Sequence, residues 1–468
     1  MLLACLGAVA AVAQIASFKH VVVIFQENRT PDNLFQGLCV APFGSSATCS
    51  TTPSSSQYNI QTRDWLDRHS ATGVTQPTQV LLGNNYDLSH AHSAFVAQCD
   101  KDPITGACKM DGSGDVVCSG SCPDKPQFRY VASRPVTPYL QLATQYGWAN
   151  YMFQTNQGPS FPAHQFIFGG TSAPSAADDA AGIFASENMS GTGSVAGCTA
   201  AATTTVQLIG PTGETTKVYP CFEHSTMPDL LAGGTTWRYY TPGAGSIWTA
   251  PNAIQHICQS TGPGGSCVGS AWSANVDLKP VDVLTDIAAC KLRSISWVIP
   301  TGANSDHASS NDGGGPSWVA AIVNAIGSSS KCDNNGGYWN DTAIVIAWDD
   351  WGGWYDHERP TIQAQPIGDY QYGFRVPLLF VSAYTQAGYV NNQRHDFGSV
   401  LRFVEHNFGI QEGALGFADS RAANDLSGFY DLTGTPRRFR TIGAPRSRSF
   451  FLNDKRAATD PDDDGDDR

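Results

Sequence analysis

The chain has 468 residues, a formal net charge of −13 and only 15% charged residues. Its 28 Lys and Arg are dispersed with no basic run, which argues against a nucleic-acid partner. A 41% apolar and 10% aromatic content excludes a disordered chain, 47 Gly and 27 Pro predict abundant loops, and the length allows one large α/β domain or two to three smaller ones.

Taken from the start, Met1 to Ala16 is an apolar run with small residues at Ala11, Ala13 and Ala16, the pattern of a secretory signal peptide. A lipoprotein signal at Cys5 and a buried strand or short helix are the alternatives. The chain carries 13 cysteines, an odd count. Removing residues 1–16 takes Cys5 away and leaves an even set in a secreted or periplasmic protein, where disulfides are the default. Spacing does not fix connectivity, but short loops favour the neighbour pairs Cys39–Cys49, Cys99–Cys108, Cys118–Cys122, Cys198–Cys221, Cys258–Cys267 and Cys290–Cys332. Zinc ligation fares poorly, because no CxxC pairs with a second CxxC or HxxxH.

Unbroken apolar runs at Val21–Phe25, Ile295–Ile299, Ala343–Trp348 and Val376–Val381 read as fully buried strands of a parallel sheet. Helical patterns at Pro138–Tyr146, Pro316–Ile326 and Phe397–Phe408 lie between and after them, which predicts an α/β sandwich. The Ser-, Thr-, Gly- and Ala-rich stretches Cys39–Thr78 and Ala173–Glu223 read as disulfide-bearing insertions over the sheet. Residues 17–445 are expected to form the catalytic domain and residues 446–468 an acidic tail. The last nine residues hold six acids and one Arg, resembling half of a calcium loop or, more simply, a solvated tail.

Ligands of open parallel sheets bind beyond the carboxyl ends of the strands. Val21–Phe25 runs into Glu27-Asn28 and Ala343–Trp348 runs into Asp349-Asp350. These four side chains form an all-oxygen set suited to one hard divalent cation, Mg²⁺, Ca²⁺ or Mn²⁺, although paired acids at strand ends also serve as caps or turns. Ser160, after Gly158-Pro159 and before Pro162, sits at a predicted helix start, either as a simple cap or as a hydroxyl whose pKa a nearby metal depresses. His90, His92, His307, His357 and His395 follow strands or neighbour acids, and each is a candidate for proton transfer or substrate contact.

Glu27-Asn28-Arg29-Thr30, Asp87–Phe95, Lys109–Gly112, Gln157–Pro162, Asn304–His307 and Trp348–His357 together resemble, in order, the bacterial phosphoesterase family of phosphatidylcholine-type phospholipases C and acid phosphatases. The resemblance spans Val21 to about Gly409 and implies an alkaline-phosphatase-like α/β/α sandwich with a mostly parallel central sheet. It further implies Ser160 as nucleophile and, with Glu27, Asn28, Asp349 and Asp350, as metal ligand. It assigns His92 and His307 to phosphate contact or proton transfer, and His256 lies in a similar stretch. The first motif departs from the family by placing Thr30-Pro31-Asp32-Asn33 where Ser-Phe-Asp-His is usual.

These features point to a secreted metal-assisted hydrolase acting through a phosphoserine. Phospholipases C of the family commonly carry further C-terminal modules, which leans the reading toward phosphate monoesters; cleavage of phosphatidylcholine-like phosphodiesters is the alternative. A non-catalytic binding protein on the same fold is the second alternative, disfavoured because the nucleophile and acids are intact. The expected partner is a small phosphate ester or phospholipid headgroup, without nucleic acid or stable membrane insertion.

Overall fold

A computed structural model describes residues 15–190, 195–333, 337–363 and 370–459. Residues 1–14 of the leader and the acid-rich end from 460 onward lie outside them. The central sheet has eight strands: β1 (His20–Gln26), β2 (Gly147–Met152), β3 (Trp237–Tyr240), β4 (Val276–Asp277), β5 (Ile295–Val298), β6 (Thr342–Trp348), β7 (Leu378–Val381) and β8 (Tyr389–His395). Their spatial order is β4-β3-β5-β1-β6-β7-β2-β8. Every pairing is parallel except those of β7, which runs antiparallel to both neighbours. The apolar run at Val376–Val381 is therefore a strand, but not a parallel one. A run buried on both faces carries no signal of direction.

The helices that matter for the site are α1 (His92–Cys99), α2 (Thr137–Gln145), α3 (Ser160–Gly169), α4 (Asp282–Ala288), α5 (Gly315–Gly327), α6 (Phe397–Asn407) and α7 (Arg448–Asn453). Side chains alternate across a strand, and laterally paired residues share a face. Trp348 meets Tyr139 of α2 edge-on at 5.0 Å, whereas Phe25 meets His164 of α3 at 4.9 Å and Phe397 of α6 at 5.2 Å. One layer is thus built from α2, α4, α5 and α7, and the other from α3 and α6, giving an α/β/α sandwich. β1 and β6 lie at its centre and are buried along their whole length.

The insertions carry short antiparallel ribbons, Trp65–Leu66 with Val74–Thr75 and Phe184–Ala185 with Val206–Gly210 and Gly213–Val218. All six neighbour disulfides are formed. The segment expected to begin a tail at residue 446 instead folds back at first. Phe451 of α7 packs on Trp318 of α5, and Arg446 and Arg456 both pair with Asp312. No described helix is long and apolar enough to cross a membrane.

Candidate active site

β1 and β6 pair in parallel with Gln26 opposite Trp348. Glu27-Asn28 and Asp349-Asp350 therefore emerge side by side at the carboxyl edge of the sheet. The Asn28 N–H donates to Asp349 Oδ1 at 2.9 Å, and Asn28 adopts φ 57°, a left-handed conformation that asparagine tolerates better than most residues. The chain then turns through Gly352 and Gly353, at φ 61° and 70°. A Cβ on Gly352 would lie 2.5 Å from the Asn28 carbonyl oxygen, so only glycine lets the two strand-end loops meet.

Ser160 opens α3 and is fully buried. Its Oγ lies 3.4 Å from Glu27 Oε2 and 3.3 Å from Asp350 Oδ2, able to donate its one hydrogen to either, which brings the hydroxyl from one layer onto both strand ends. The next backbone N–H of the helix, that of Phe161, is taken by Asn188 Oδ1 at 3.0 Å. One turn on, on the same face as Ser160, His164 places Nε2 3.1 Å from Glu27 Oε1. This residue escaped the sequence reading, although its i+4 spacing from Ser160 was the available signal.

The chemistry of this cluster fits a cation. Tyr239 donates its only hydroxyl hydrogen to the Trp248 carbonyl at 2.7 Å, so at its 3.3 Å contact with His164 Nδ1 it accepts. Burial pushes the His164 pKa down to about 4, with Asp349 opposing the shift, so the neutral ring points its Nε2 lone pair at the acids. Ligand atoms of Glu27, His164 and Asp349 all lie within 4.8 Å of one another. Asn28 Oδ1 and Asp349 Oδ2 are buried and have no hydrogen-bond partner. Lone pairs and carboxylates that converge in a buried site are costly. A divalent cation would offset that cost, and Glu27, His164 and Asp349 are grouped closely enough to hold one.

Two histidine-bearing loops flank the cluster. His90 Nδ1 faces the Leu88 carbonyl at 2.9 Å, which leaves Nε2 to accept from Asn28 Nδ2 at 2.8 Å. His90 thus orients the Asn28 amide with its oxygen turned away from the ring. The His307 ring lies 5.5 Å from that of His90, and its Nδ1 is 2.6 Å from the Ala308 carbonyl. Its neighbour Asp306 anchors the loop by accepting from Tyr139 Oη at 2.8 Å and Trp348 Nε1 at 3.0 Å, and burial pushes its pKa up to about 6. His92 Nδ1 is held by the Gln157 carbonyl at 2.8 Å, three residues before Ser160, and burial lowers its pKa.

Three expected substrate contacts stand apart from the cluster. His256 lies between Glu223 and Asp229 in the 173–223 insertion and the segment after it, at 2.8 and 3.2 Å. His357 bonds Asp32 Oδ2 at 2.6 Å and Asn59 at 2.9 Å, within a buried network where Arg375 grips Asp356 through two 3.0 Å bonds. Both of its ring nitrogens are engaged there. His395 is buried against Phe429, with rings 5.5 Å apart and neither ring nitrogen hydrogen-bonded.

A model of the Phosphoesterase family matches residues 18–411. The hemolytic phospholipase C of Pseudomonas aeruginosa is 23% identical over 463 residues, covering 90% of this chain and 57% of that protein. The non-hemolytic phospholipase C of the same organism is 26% identical over 237 residues, covering 44% of this chain and 33% of that protein. Phospholipase C A of Mycobacterium tuberculosis is 24% identical over 217 residues, 40% of each chain. The chain thus spans between a third and somewhat over half of the length of these relatives. A solved structure of an alkaline phosphatase superfamily protein from Vibrio parahaemolyticus aligns at a TM-score of 0.33 and 13% identity, covering 74% of this chain and 69% of that one.

Proposed function

The chain belongs to the Phosphoesterase family, a hydrolase of phosphoester bonds, and from that premise we propose that it cleaves phosphodiesters in the manner of a phospholipase C, with Ser160 as nucleophile. The carrying observation is the Ser160 hydroxyl, buried at a helix start within 3.4 Å of acids from both central strand ends. Relatives named phospholipase C support the phosphodiester over the monoester reading. The lean toward monoesters rested on where the chain stops, which carries no weight.

Glu27, Asn28, Asp349, Asp350, His164 and Ser160 would hold one divalent cation. When bound, it would lower the hydroxyl pKa and neutralise phosphoryl charge. With an imidazole in the set, Mn²⁺ suits the donors better than Ca²⁺ or Mg²⁺. The acids accept the Ser160 proton as Oγ attacks phosphorus. The P–O bond to the alcohol breaks with its electron pair on the alcohol oxygen, and His92 or His307 supplies the proton. A water deprotonated by the same histidine then attacks the phosphoserine, releasing the phosphorylated headgroup and restoring Ser160. Six disulfides support a secreted or periplasmic setting.

Ser160→Ala should cut release of p-nitrophenol from p-nitrophenyl phosphorylcholine by about a thousandfold or more while leaving the thermal midpoint unchanged. Wild-type kcat in that variant sinks the assignment. A parallel assay with p-nitrophenyl phosphate separates diester from monoester cleavage, a faster monoester reaction reversing the proposal.

A further inference from the structure

A cavity of about 440 Å³ opens beside the Ser160 loop, and His92 and Gln157 both line it. Its walls come from separate parts of the chain: Phe95 and Val96 of α1, Phe184 and Ile209 of the inserted ribbon, and Tyr370. Tyr370 and Phe184 meet edge to face at 5.4 Å, which joins two of these walls. Val96, 55% exposed, stands on the open side of the cavity wall. One cation, Lys101, lines the cavity, and no carboxylate does among the described residues. Phe95, Val96, Phe184, Ile209 and Pro211 give the cavity an apolar wall, beside the polar Gln157, Gln371 and Tyr370.

The connection to the chemistry is direct. The Gln157 carbonyl holds His92 Nδ1 at 2.8 Å, His92 stacks on Phe95 with rings 6.1 Å apart, and Gln157 leads through Gly158-Pro159 to the nucleophile. The cavity is thus joined to the nucleophile through the short Gln157–Ser160 segment, with His92 and Gln157 in its wall.

Resting on the phosphodiester reading above, we propose that this cavity receives the apolar tail of the leaving alcohol, and that it takes one hydrocarbon chain rather than two. At roughly 27 Å³ per methylene at interior packing density, the cavity volume corresponds to about sixteen carbons of one chain, with no space for a second of similar length. The preferred substrate class is therefore a single-chain phosphodiester such as a lysophospholipid.

The test uses the full chain, loaded with divalent metal, and lysophosphatidylcholines of acyl length six to eighteen below the concentration of micelle formation, with phosphocholine release as readout. The expected kcat/KM rises up to about fourfold per added methylene and flattens near sixteen carbons. Dipalmitoyl phosphatidylcholine, offered in mixed micelles alongside the sixteen-carbon lysolipid, is cleaved at least tenfold more slowly. Val96→Glu places a charge on an exposed wall position and should reduce the ratio of sixteen- to six-carbon kcat/KM at least tenfold. Equal rates across chain length, or an undiminished ratio in Val96→Glu, overturn the cavity's role while leaving phosphodiester cleavage intact. Faster cleavage of the two-chain lipid overturns the single-chain assignment. Absence of release from every lysolipid and from p-nitrophenyl phosphorylcholine instead overturns the phosphodiester reading itself.

Discussion

Replacing Asp349 with asparagine separates the electrostatic cost of the site from its use. The variant keeps an oxygen to accept the Asn28 N–H, now bonded to Asp349 Oδ1 at 2.9 Å, but removes one buried charge. The ligand atoms of Glu27, His164 and Asp349 lie within 4.8 Å of one another. Two carboxylate charges at that separation repel by about 3.5 kcal/mol at an effective dielectric of about 20. Both residues are fully buried, so solvent screening removes little of this. A chain this long has an unfolding entropy of about 1 kcal/mol/K, so complete relief raises the thermal midpoint by about 3 °C. In EDTA at pH 8, Asp349→Asn should accordingly melt about 2–3 °C above wild type. With saturating Mn²⁺ that advantage shrinks to within about 1 °C of wild type, because a hundredfold weaker site forfeits about 2.7 kcal/mol of binding stabilisation. Scanning fluorimetry at one fixed scan rate, with and without metal, reads both effects. A variant that melts lower in EDTA yet keeps the full metal-induced shift refutes the view of these acids as a strained cation cage.

Further outcomes follow from other parts of the structure. Burial pushes the His395 pKa down to about 4, so the folded state holds this ring neutral; stability is full above about pH 6.5 and is lost as pH falls toward 4, by up to about 3 kcal/mol. His395→Phe should therefore flatten the acid limb of a pH–stability profile without lowering kcat at pH 7.5, and a fall in kcat would return His395 to the site. Gly352→Ala puts a Cβ 2.5 Å from the Asn28 carbonyl at a left-handed φ of 61°; isothermal titration should show divalent-metal affinity at least tenfold weaker, with unfolding easier by about 1–2 kcal/mol. Removing Cys290–Cys332, which spans 42 residues, should cost about 4 kcal/mol in urea unfolding, against about 2 for Cys118–Cys122, which spans 4. Equal costs would show that loop closure in the unfolded chain does not govern them.

The parts of the fold legible in the sequence were those buried on both faces. β1 and β6 are buried throughout and polar only at their end residues His20, Gln26 and Thr342, so their existence and ends could be placed to within a residue. β2, β3 and β8 escaped because each carries polar residues for reasons only tertiary structure supplies. Asn150 in β2 is buried but engaged by the Asn59 N–H, Trp148 Nε1 and the Gln57 carbonyl. β8 is the edge strand, and its Asn392, Gln393 and Arg394 are exposed. An edge strand needs no continuous apolar run, so period and composition are silent about it.

The site divides along the same line. Glu27, Asn28, Asp349 and Asp350 follow their strands immediately, and the only missing knowledge was that those strands are parallel neighbours. The histidines are different, because adjacency to an acid in sequence does not distinguish a paired structural ring from one aimed at a reacting atom. His357 beside Asp356 ends in a network already neutralised by Arg375, while His164, with no acid near it in sequence, is turned by one helical turn onto Glu27. What separates them is which hydrogen each ring has left to give. Tyr239 spends its hydroxyl hydrogen on Trp248, which forces His164 to donate through Nδ1 and to present a bare Nε2. His90 likewise spends Nδ1 on Leu88 and so fixes the Asn28 amide. The cation site is thus specified as much by the destinations of hydroxyl and ring hydrogens two residues away as by the ligands themselves.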